Sequence, residues 1–294
     1  MEHQREIVVF LIDTNPIAWN NLEKNGISFS YVLSQIYSYL SQMILSDVFQ
    51  LAPVIAYNQC GVHWLFPSPD RAELLIKGSL QATNTDEILS YCQSINQNLC
   101  DFAKQCANVD QTTNDVRLDV AISTALCHLN RYSSEYLKRI LVITPSKDTF
   151  DDKSNDRNKE SEANFESTMN SIFAAHRINV TIDSILINVP ESLFLNQASI
   201  LTNGFSTSIC NMTRIQYLLQ YLLSIPPLPI RNLIVLKKVK AIDYKTPAVN
   251  TNNLIDQGIM CPVCLSVFEK TDKPINICSV CRSNQQFLEV RGRK

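Results

Sequence analysis

Apolar and polar positions alternate along this chain in two rhythms, one of a buried strand and one of a helix face. Residues 6–12, EIVVFLI, form a nearly unbroken apolar run rich in β-branched types, as a central strand covered on both faces requires, and Asp13 ends it. From Phe29 the apolar positions fall at 29, 32, 33, 36, 40, 43, 44 and 48, the spacing of one buried helix face. The stretches 51–57 and 62–66 predict a strand pair joined by the turn Asn58-Gln59-Cys60-Gly61. Ile88, Cys92, Ile95, Leu99, Phe102 and Cys106 mark another helix, and Leu118, Ile122, Ala125 and Leu129 a third. Cysteines on such faces read most simply as core residues. RILVIT at 139–144 is again a short buried strand.

The next segment, SKDTFDDKSNDRNKESE at 146–162, has no apolar residue except Phe150 and predicts a mobile surface loop of poor order. After it come a helix through Phe165, Met169, Ile172 and Phe173, a strand at 180–187 and a helix at 193–203 with Gly204 in the place of a C-cap glycine. A short strand at 205–209 and a helix at 214–224 follow. This alternation implies an α/β body: a mostly parallel sheet with helices on both faces, right-handed crossovers and one antiparallel edge from the pair at 51–57 and 62–66. Pro226, Pro227 and Pro229 stop the last helix, since proline lacks the donor and clashes with the preceding turn. The expected organisation is a body at 1–226, a proline-containing linker or extended arm at 227–257 holding the apolar run NLIVL, and a small module at 258–294.

Composition changes this picture little. At 294 residues, 45% hydrophobic and 18% charged, the chain has the length of about two domains and enough apolar material for a full core. No run approaches the roughly 20 apolar residues of a membrane span, and the first apolar run is too short and wrongly flanked for a signal peptide. These features point to a reducing intracellular compartment, where cysteines serve more as buried thiols or metal ligands than as disulfides. Charge is uneven. From Arg231 to the end there are eleven Lys or Arg against five Asp or Glu, about +6, which leaves about −8 on the first 230 residues within the overall −2. A basic tail suits nucleic acid or an acidic protein partner.

The strongest chemical signal is the run CPVCLSVFEKTDKPINICSVC, in which two Cys-x-x-Cys pairs are separated by thirteen residues. Tetrahedral Zn²⁺ takes four soft ligands, and a tight Cys-x-x-Cys turn points two thiolates at one ion. Cys261, Cys264, Cys278 and Cys281 are therefore the candidate ligands of one structural Zn²⁺. The four histidines, His3, His63, His128 and His176, all lie far from this run in sequence, so the shell is expected to be all sulfur and closed, with no position for an activated water. The alternatives are redox pairs or unrelated core thiols. A segment of this size has too few apolar groups to fold without a staple. Four ligands, rather than eight, also set it apart from a two-ion RING-type ligase module.

Asp13 stands at the carboxyl end of the first strand, where doubly wound folds gather ligands. A carboxylate there can hold Mg²⁺ with Thr14 nearby, but Ile17 is apolar and the RILVIT strand ends in Pro145-Ser146 with the nearest acid at Asp148, so Mg²⁺ at Asp13 is disfavoured. The other reading is that Asp13 caps the following turn through its backbone. With only six glycines and no glycine-rich loop after a strand, no cradle for nucleotide phosphate is visible. No spacing argues for a nucleophile–histidine arrangement, and His63, His128 and His176 read as packed or surface residues. Lys237, Lys238, Lys240, Arg291, Arg293 and Lys294 are candidates for nucleic-acid contact, without aromatic platforms to accompany them.

Taken together, VVFLIDTNP at 8–16, ALCHLNR at 125–131, RILVIT at 139–144, SIFAAHRINVTID at 171–183 and the ending CPVCLSVF with ICSVC resemble the smaller von Willebrand A-type subunits of the core of TFIIH, the general transcription and nucleotide excision repair factor. The resemblance spans nearly the whole chain. It implies a Rossmann-like von Willebrand A fold with a mostly parallel six-stranded sheet, a C-terminal four-cysteine zinc module, no enzymatic activity and no small-molecule substrate. It further implies a nuclear protein held in its complex chiefly by the second von Willebrand A-bearing subunit, whose own zinc domain docks on it. The metal-ion-dependent adhesion motif of that fold, Asp-x-Ser-x-Ser, is degenerate in the family. Here Asn15 and Ile17 replace both serines and Asp13 alone carries over. The chain departs from the family in lacking a further cysteine pair before Cys261, where it reads NTNNLIDQG, and in a more polar loop at 146–162.

Overall fold

The computed structural model describes residues 6–45, 49–66, 85–106, 116–147, 159–210 and 217–233, and in the C-terminal part 246–251, 254–255, 257–264, 266–270, 277–284 and 288–291. The chain divides into two compact units, Met1–Val239 and Lys240–Lys294. The strands of the first unit are β1 (Glu6–Asp13), β2 (Phe49–Leu51), β3 (Val54–Asn58), β4 (Gly61–Phe66), β5 (Leu137–Thr144), β6 (Val180–Ile187) and β7 (Ser206–Ile209). Every residue of β1 is buried, as the apolar run predicted. It lies between β3 and β5, parallel to both, and the sheet order is β4-β3-β1-β5-β6-β7. β4 is the antiparallel edge, joined to β3 through the expected turn at 58–61.

The single strand expected at 51–57 is divided in two. β2 pairs with the start of β1, β3 with its end, and Ala52-Pro53 lies between them. Pro53 has no N–H for a ladder. It gives only its carbonyl, which accepts from Phe10 N at 2.8 Å.

The helices are α1 (Pro16–Glu23), α2 (Phe29–Leu45), α3 (Thr85–Cys106), α4 (Leu118–Leu129), α5 (Lys159–Arg177), α6 (Leu193–Leu201) and α7 (Leu218–Ser224). Because side chains alternate along a strand, the sheet presents two apolar faces. Val8, Phe10, Ile12, Leu141, Ile143, Ile185 and Ile187 meet α1, α2, α3 and α7 through residues such as Trp19, Ile36, Leu40, Ile95 and Leu222. Ile7, Val9, Leu11, Ile140, Val142 and Ile182 meet α4, α5 and α6 through Ile122, Leu129, Ile172 and Leu195. Three layers result, with two cores.

α1 has no counterpart in the periodicity, because eight residues hold too few apolar positions to show one. Its signal is local: Asn15 accepts from Ile17 N at 3.1 Å as the N-cap, and Pro16 takes the first turn, where a missing donor is harmless. α5 begins at Lys159, so the last four residues of the expected loop are helical, while 148–158 lie outside the described residues. Phe173, expected on the buried face of α5, is 50% exposed, and Ala175 is buried in its stead. Of the helix expected at 214–224, the part from Leu218 is described, and position 48 of the α2 pattern also lies outside. The prolines do stop α7, but residues expected in the linker stay with the body as a 3-10 turn, Leu228–Leu233.

The second unit is built from short strands: β8 (Thr246–Pro247) pairs with β9 (Leu254–Ile255), and β10 (Gln257–Met260) pairs antiparallel with β11 (Val267–Phe268) and β12 (Leu288–Arg291). Its buried centre is Phe268 with Cys261 and Cys278.

The end of α6 differs from expectation in an instructive way. The left-handed residue is Asn203, at φ 55, and Gly204 N reaches back to Ser199 O at 2.7 Å, closing a Schellman motif one residue later than a C′ glycine would. Gly204 is needed for another reason: a Cβ there would lie 1.8 Å from the Ile182 carbonyl oxygen. Gly204→Ala therefore has to displace β6 backbone, and overpacking of this kind costs about 3 kcal/mol. Urea unfolding of the variant is expected to show that loss with an unchanged m-value.

Candidate metal centre

The C-terminal unit holds a two-fold local repeat. Cys261-Pro262-Val263-Cys264-Leu265-Ser266 and Cys278-Ser279-Val280-Cys281-Arg282-Ser283 share Cys-x-Val-Cys-x-Ser. Each is closed by the same backbone bond, Cys261 N to Ser266 O and Cys278 N to Ser283 O, both 3.0 Å. In the second turn Arg282 takes φ 57, a left-handed conformation uncommon outside glycine, and its N–H reaches Cys278 O at 2.9 Å.

The two turns bring all four Sγ atoms within 4.8 Å of one another. Cys261 and Cys281 are 3.7 Å apart and Cys264 and Cys278 3.6 Å. A disulfide needs about 2.05 Å. A tetrahedron with Zn–S bonds of about 2.3 Å has edges of about 3.8 Å, so the sulfur set has the size and donor chemistry of a four-thiolate zinc site. Cys261 and Cys278 are buried, Cys264 is half-buried and Cys281 exposed, which leaves one corner of the cluster toward solvent.

The turns are also wired to hold sulfur as anion. The Cys264 N–H, then the Ser283 hydroxyl, bring the Cys261 thiol down to about 6. The Ser266 hydroxyl, 3.2 Å from Cys264 Sγ, lowers that thiol in turn. Cys278 has a matching backbone donor in the Cys281 N–H, yet desolvation and then its neighbours Cys264 and Cys281 raise it, to about 11. Four sulfurs this close cannot all ionise unless a cation joins them. The serines at 266 and 283, each two residues after its second cysteine, were not singled out in the sequence; the repeat of Cys-x-Ser was the available signal.

At the other candidate position, Asp13 is fully buried and both oxygens are taken. Oδ1 accepts from Asn15 N at 2.8 Å, and Oδ2 accepts from the Thr144 hydroxyl at 2.6 Å. Thr144 Oγ1 in turn accepts from Ser146 N, at 3.0 Å, and the Asn15 amide reaches Ser146 Oγ at 3.4 Å. Asp13 thus closes the turn after β1, as one of the two sequence readings held, and ties it to the turn after β5. The remaining expectations on histidine stand as follows: His63 stacks on Phe102, His128 is buried against Trp64 and Tyr132, and His176 is exposed. Burial holds His128 down to about 4. Lys237, Lys238, Lys240, Arg293 and Lys294 lie outside the described residues, and nothing is described of the Arg291 side chain.

A doubly wound sheet with one antiparallel edge, helices on both faces and a separate four-cysteine unit defines a von Willebrand A-type body with a C-terminal cysteine module. The crystal structure of the TFIIH p34 N-terminal domain has this fold: it aligns over 74% of this chain and 95% of its own length, with a TM-score of 0.57 at 22% identity. The chain belongs to the family Transcription factor Tfb4, which it matches over residues 5–282. General transcription and DNA repair factor IIH subunit TFB4 of Arabidopsis thaliana is 29% identical to it, over 94% of this chain and 88% of that protein. The tfb4 subunit of Schizosaccharomyces pombe is 24% identical over the same shares.

Burial raises the Asp13 carboxyl above the usual range, against the hydrogen bonds that lower it. A raised folded-state value means that this group favours folding most when protonated, and that the contribution is lost as pH climbs past the usual carboxylate value near 4. Asp13→Asn does not titrate. Its melting temperature relative to wild type is expected to rise as pH climbs above about 4, and a difference that stays flat or falls contradicts this account of Asp13.

Proposed function

We propose that this chain is a non-catalytic structural subunit of the TFIIH core, acting in the nucleus in RNA polymerase II transcription initiation and nucleotide excision repair through protein–protein scaffolding. The observation that carries this reading is the extent of the family match: residues 5–282 take in both the α/β body and the four cysteines of the tail, and relatives covered to 88% of their length bear the name of IIH subunits. The geometry supports it. Asp13 has both oxygens committed to the fold, and among the described residues the four cysteines are the one cluster of His, Cys, Asp or Glu able to hold a metal.

In this reading Cys261, Cys264, Cys278 and Cys281 hold one structural Zn²⁺. The ion supplies cross-linking: it lets four thiolates share one site and contributes on the order of 10 to 16 kcal/mol in small modules of this kind. Four sulfur ligands leave no open position for water. The module of 258–294 then serves as an adaptor, and the partners are other TFIIH core subunits, chiefly the second von Willebrand A-bearing subunit with its zinc domain.

Metal analysis, pull-downs and a hydrolysis assay test this. Metal analysis of the purified full chain is expected to find one equivalent of zinc, most of it lost in Cys264→Ser, with fast amide exchange across 257–291 and unchanged melting of the body. A variant that keeps its full equivalent overturns the ligand assignment. In pull-downs from nuclear extract, wild type is expected to bring down other TFIIH subunits and Cys264→Ser to bring down less. Nucleotide hydrolysis by the purified chain that disappears in Asp13→Ala overturns the non-catalytic reading.

A further inference from the structure

The 3-10 turn Leu228–Leu233 is turned inside out. Ile230 is 42% exposed and Leu233 83%, whereas the Arg231 side chain is 8% exposed. Apolar side chains ordinarily hold a surface segment to its body. Here, beyond the buried Pro226, the side chain turned inward is a cation.

Arg231 forks onto Asp183, with Nη1 3.0 Å from Oδ1 and Nη2 2.5 Å from Oδ2, and its Nε donates to Pro226 O at 3.0 Å. Asp183 is fully buried in β6, where its Oδ1 also accepts from Phe205 N at 2.7 Å and its Oδ2 lies against Arg139 Nε. Arg139, fully buried in β5, donates through Nη1 to Glu6 Oε1 at 3.2 Å. Glu6, buried at the start of β1, accepts through Oε2 from Leu228 N at 3.1 Å. The chain of contacts closes on the segment from which it began.

The four groups are two carboxylates and two guanidiniums, and together they are neutral. Glu6, Asp183 and Arg139 alone would bury one uncompensated negative charge, an arrangement far costlier than an apolar replacement. Arg231 supplies the missing charge from outside the sheet. Bidentate guanidinium–carboxylate pairing also fixes direction, which a greasy contact would not. We infer that residues 226–233 are a strap latched to the body by the buried quartet Glu6, Arg139, Asp183 and Arg231, so that the chain leaves the body from a fixed point rather than as a free linker. This holds whatever complex the chain enters.

The test uses amide hydrogen exchange and thermal melting of the full chain in three variants. Arg231→Met leaves the buried set at one net negative charge and Glu6→Gln at one net positive charge. The double variant keeps the balanced Arg139–Asp183 pair but has lost the Arg231 fork and replaced the Leu228 acceptor oxygen. The expected result is non-additive: each single variant melts lower than the double variant, which recovers much of the wild-type value. In the double variant the amides of Leu228, Ile230 and Arg231 exchange at least about tenfold faster than in wild type while β5 and β6 stay protected. Wild-type exchange at those three amides in the double variant overturns the latch. Additive melting shifts overturn it equally, since they would mean that the charges do not act as one set. If Arg231→Met fails to fold, folding of the double variant still supports the latch, and its failure overturns it.

Discussion

The body is assembled around a strand that has no access to water at any of its eight residues, Glu6–Asp13. Its backbone groups are satisfied by parallel neighbours on both sides, which is why such a strand can be apolar on both faces. Its two ends are the difficulty, because each is a carboxylate. Burial raises both Glu6 and Asp13, and the body has answered each differently. At Glu6 the answer is countercharge, from Arg139 and through it Asp183 and Arg231. At Asp13 it is neutral donors, the Asn15 N–H and the Thr144 hydroxyl. The first solution draws in residues more than two hundred positions away. The second locks the turns after β1 and β5 to each other.

The C-terminal unit rests on a different balance. Among its described residues the buried apolar side chains are Phe268 and Ala248, with Ile259 partly buried beside Phe268, and the rest of that centre is sulfur. A module of a few dozen residues ordinarily needs a staple besides apolar burial. The two Cys-x-Val-Cys-x-Ser turns are preorganised by backbone bonds and serine hydroxyls, but they gather four sulfurs within 4.8 Å of one another, where thiolates repel. A dication bound there, as proposed above, would relieve that repulsion and cross-link the turns in one step. The body and tail thus depend on separable physics, and a chelator or a single cysteine change should reach one without the other.

Much of this was legible in the residues. The strands that are buried on both faces announced themselves as apolar runs, and the four-cysteine spacing marked residues that the fold brings within 4.8 Å of one another. What escaped was set by short-range or long-range detail that periodicity does not carry. α1 is two turns long and is written in Asn15-Pro16 rather than in an apolar stripe. Phe173 lies one turn after the buried Met169, close enough in helical phase to read as core, yet it is half exposed at the margin of the buried face. The body's extension past Pro226 was invisible because the residue that docks it is an arginine. No pattern of apolar positions marks a segment held by charge, and Ile230 and Leu233 point the other way.

The degenerate strand end bears directly on how such a body meets a partner. In the Asp-x-Ser-x-Ser arrangement two hydroxyls stand ready beside the carboxylate, and an incoming acidic group can complete the ion's shell. Here the first of those positions is Asn15, whose oxygen starts α1 and whose amide reaches Ser146, while the second is Ile17, whose N–H is the one being capped. The same positions that would present ligands have become the beginning of a helix. Loosening them to admit a cation would unpair Asp13 from Thr144 and free the N-terminus of α1 together. The strand end is therefore a finished hydrogen-bonded network, buried at Asp13, Asn15 and Ser146, and on the scaffolding reading proposed above a partner would meet the body without a bridging ion there.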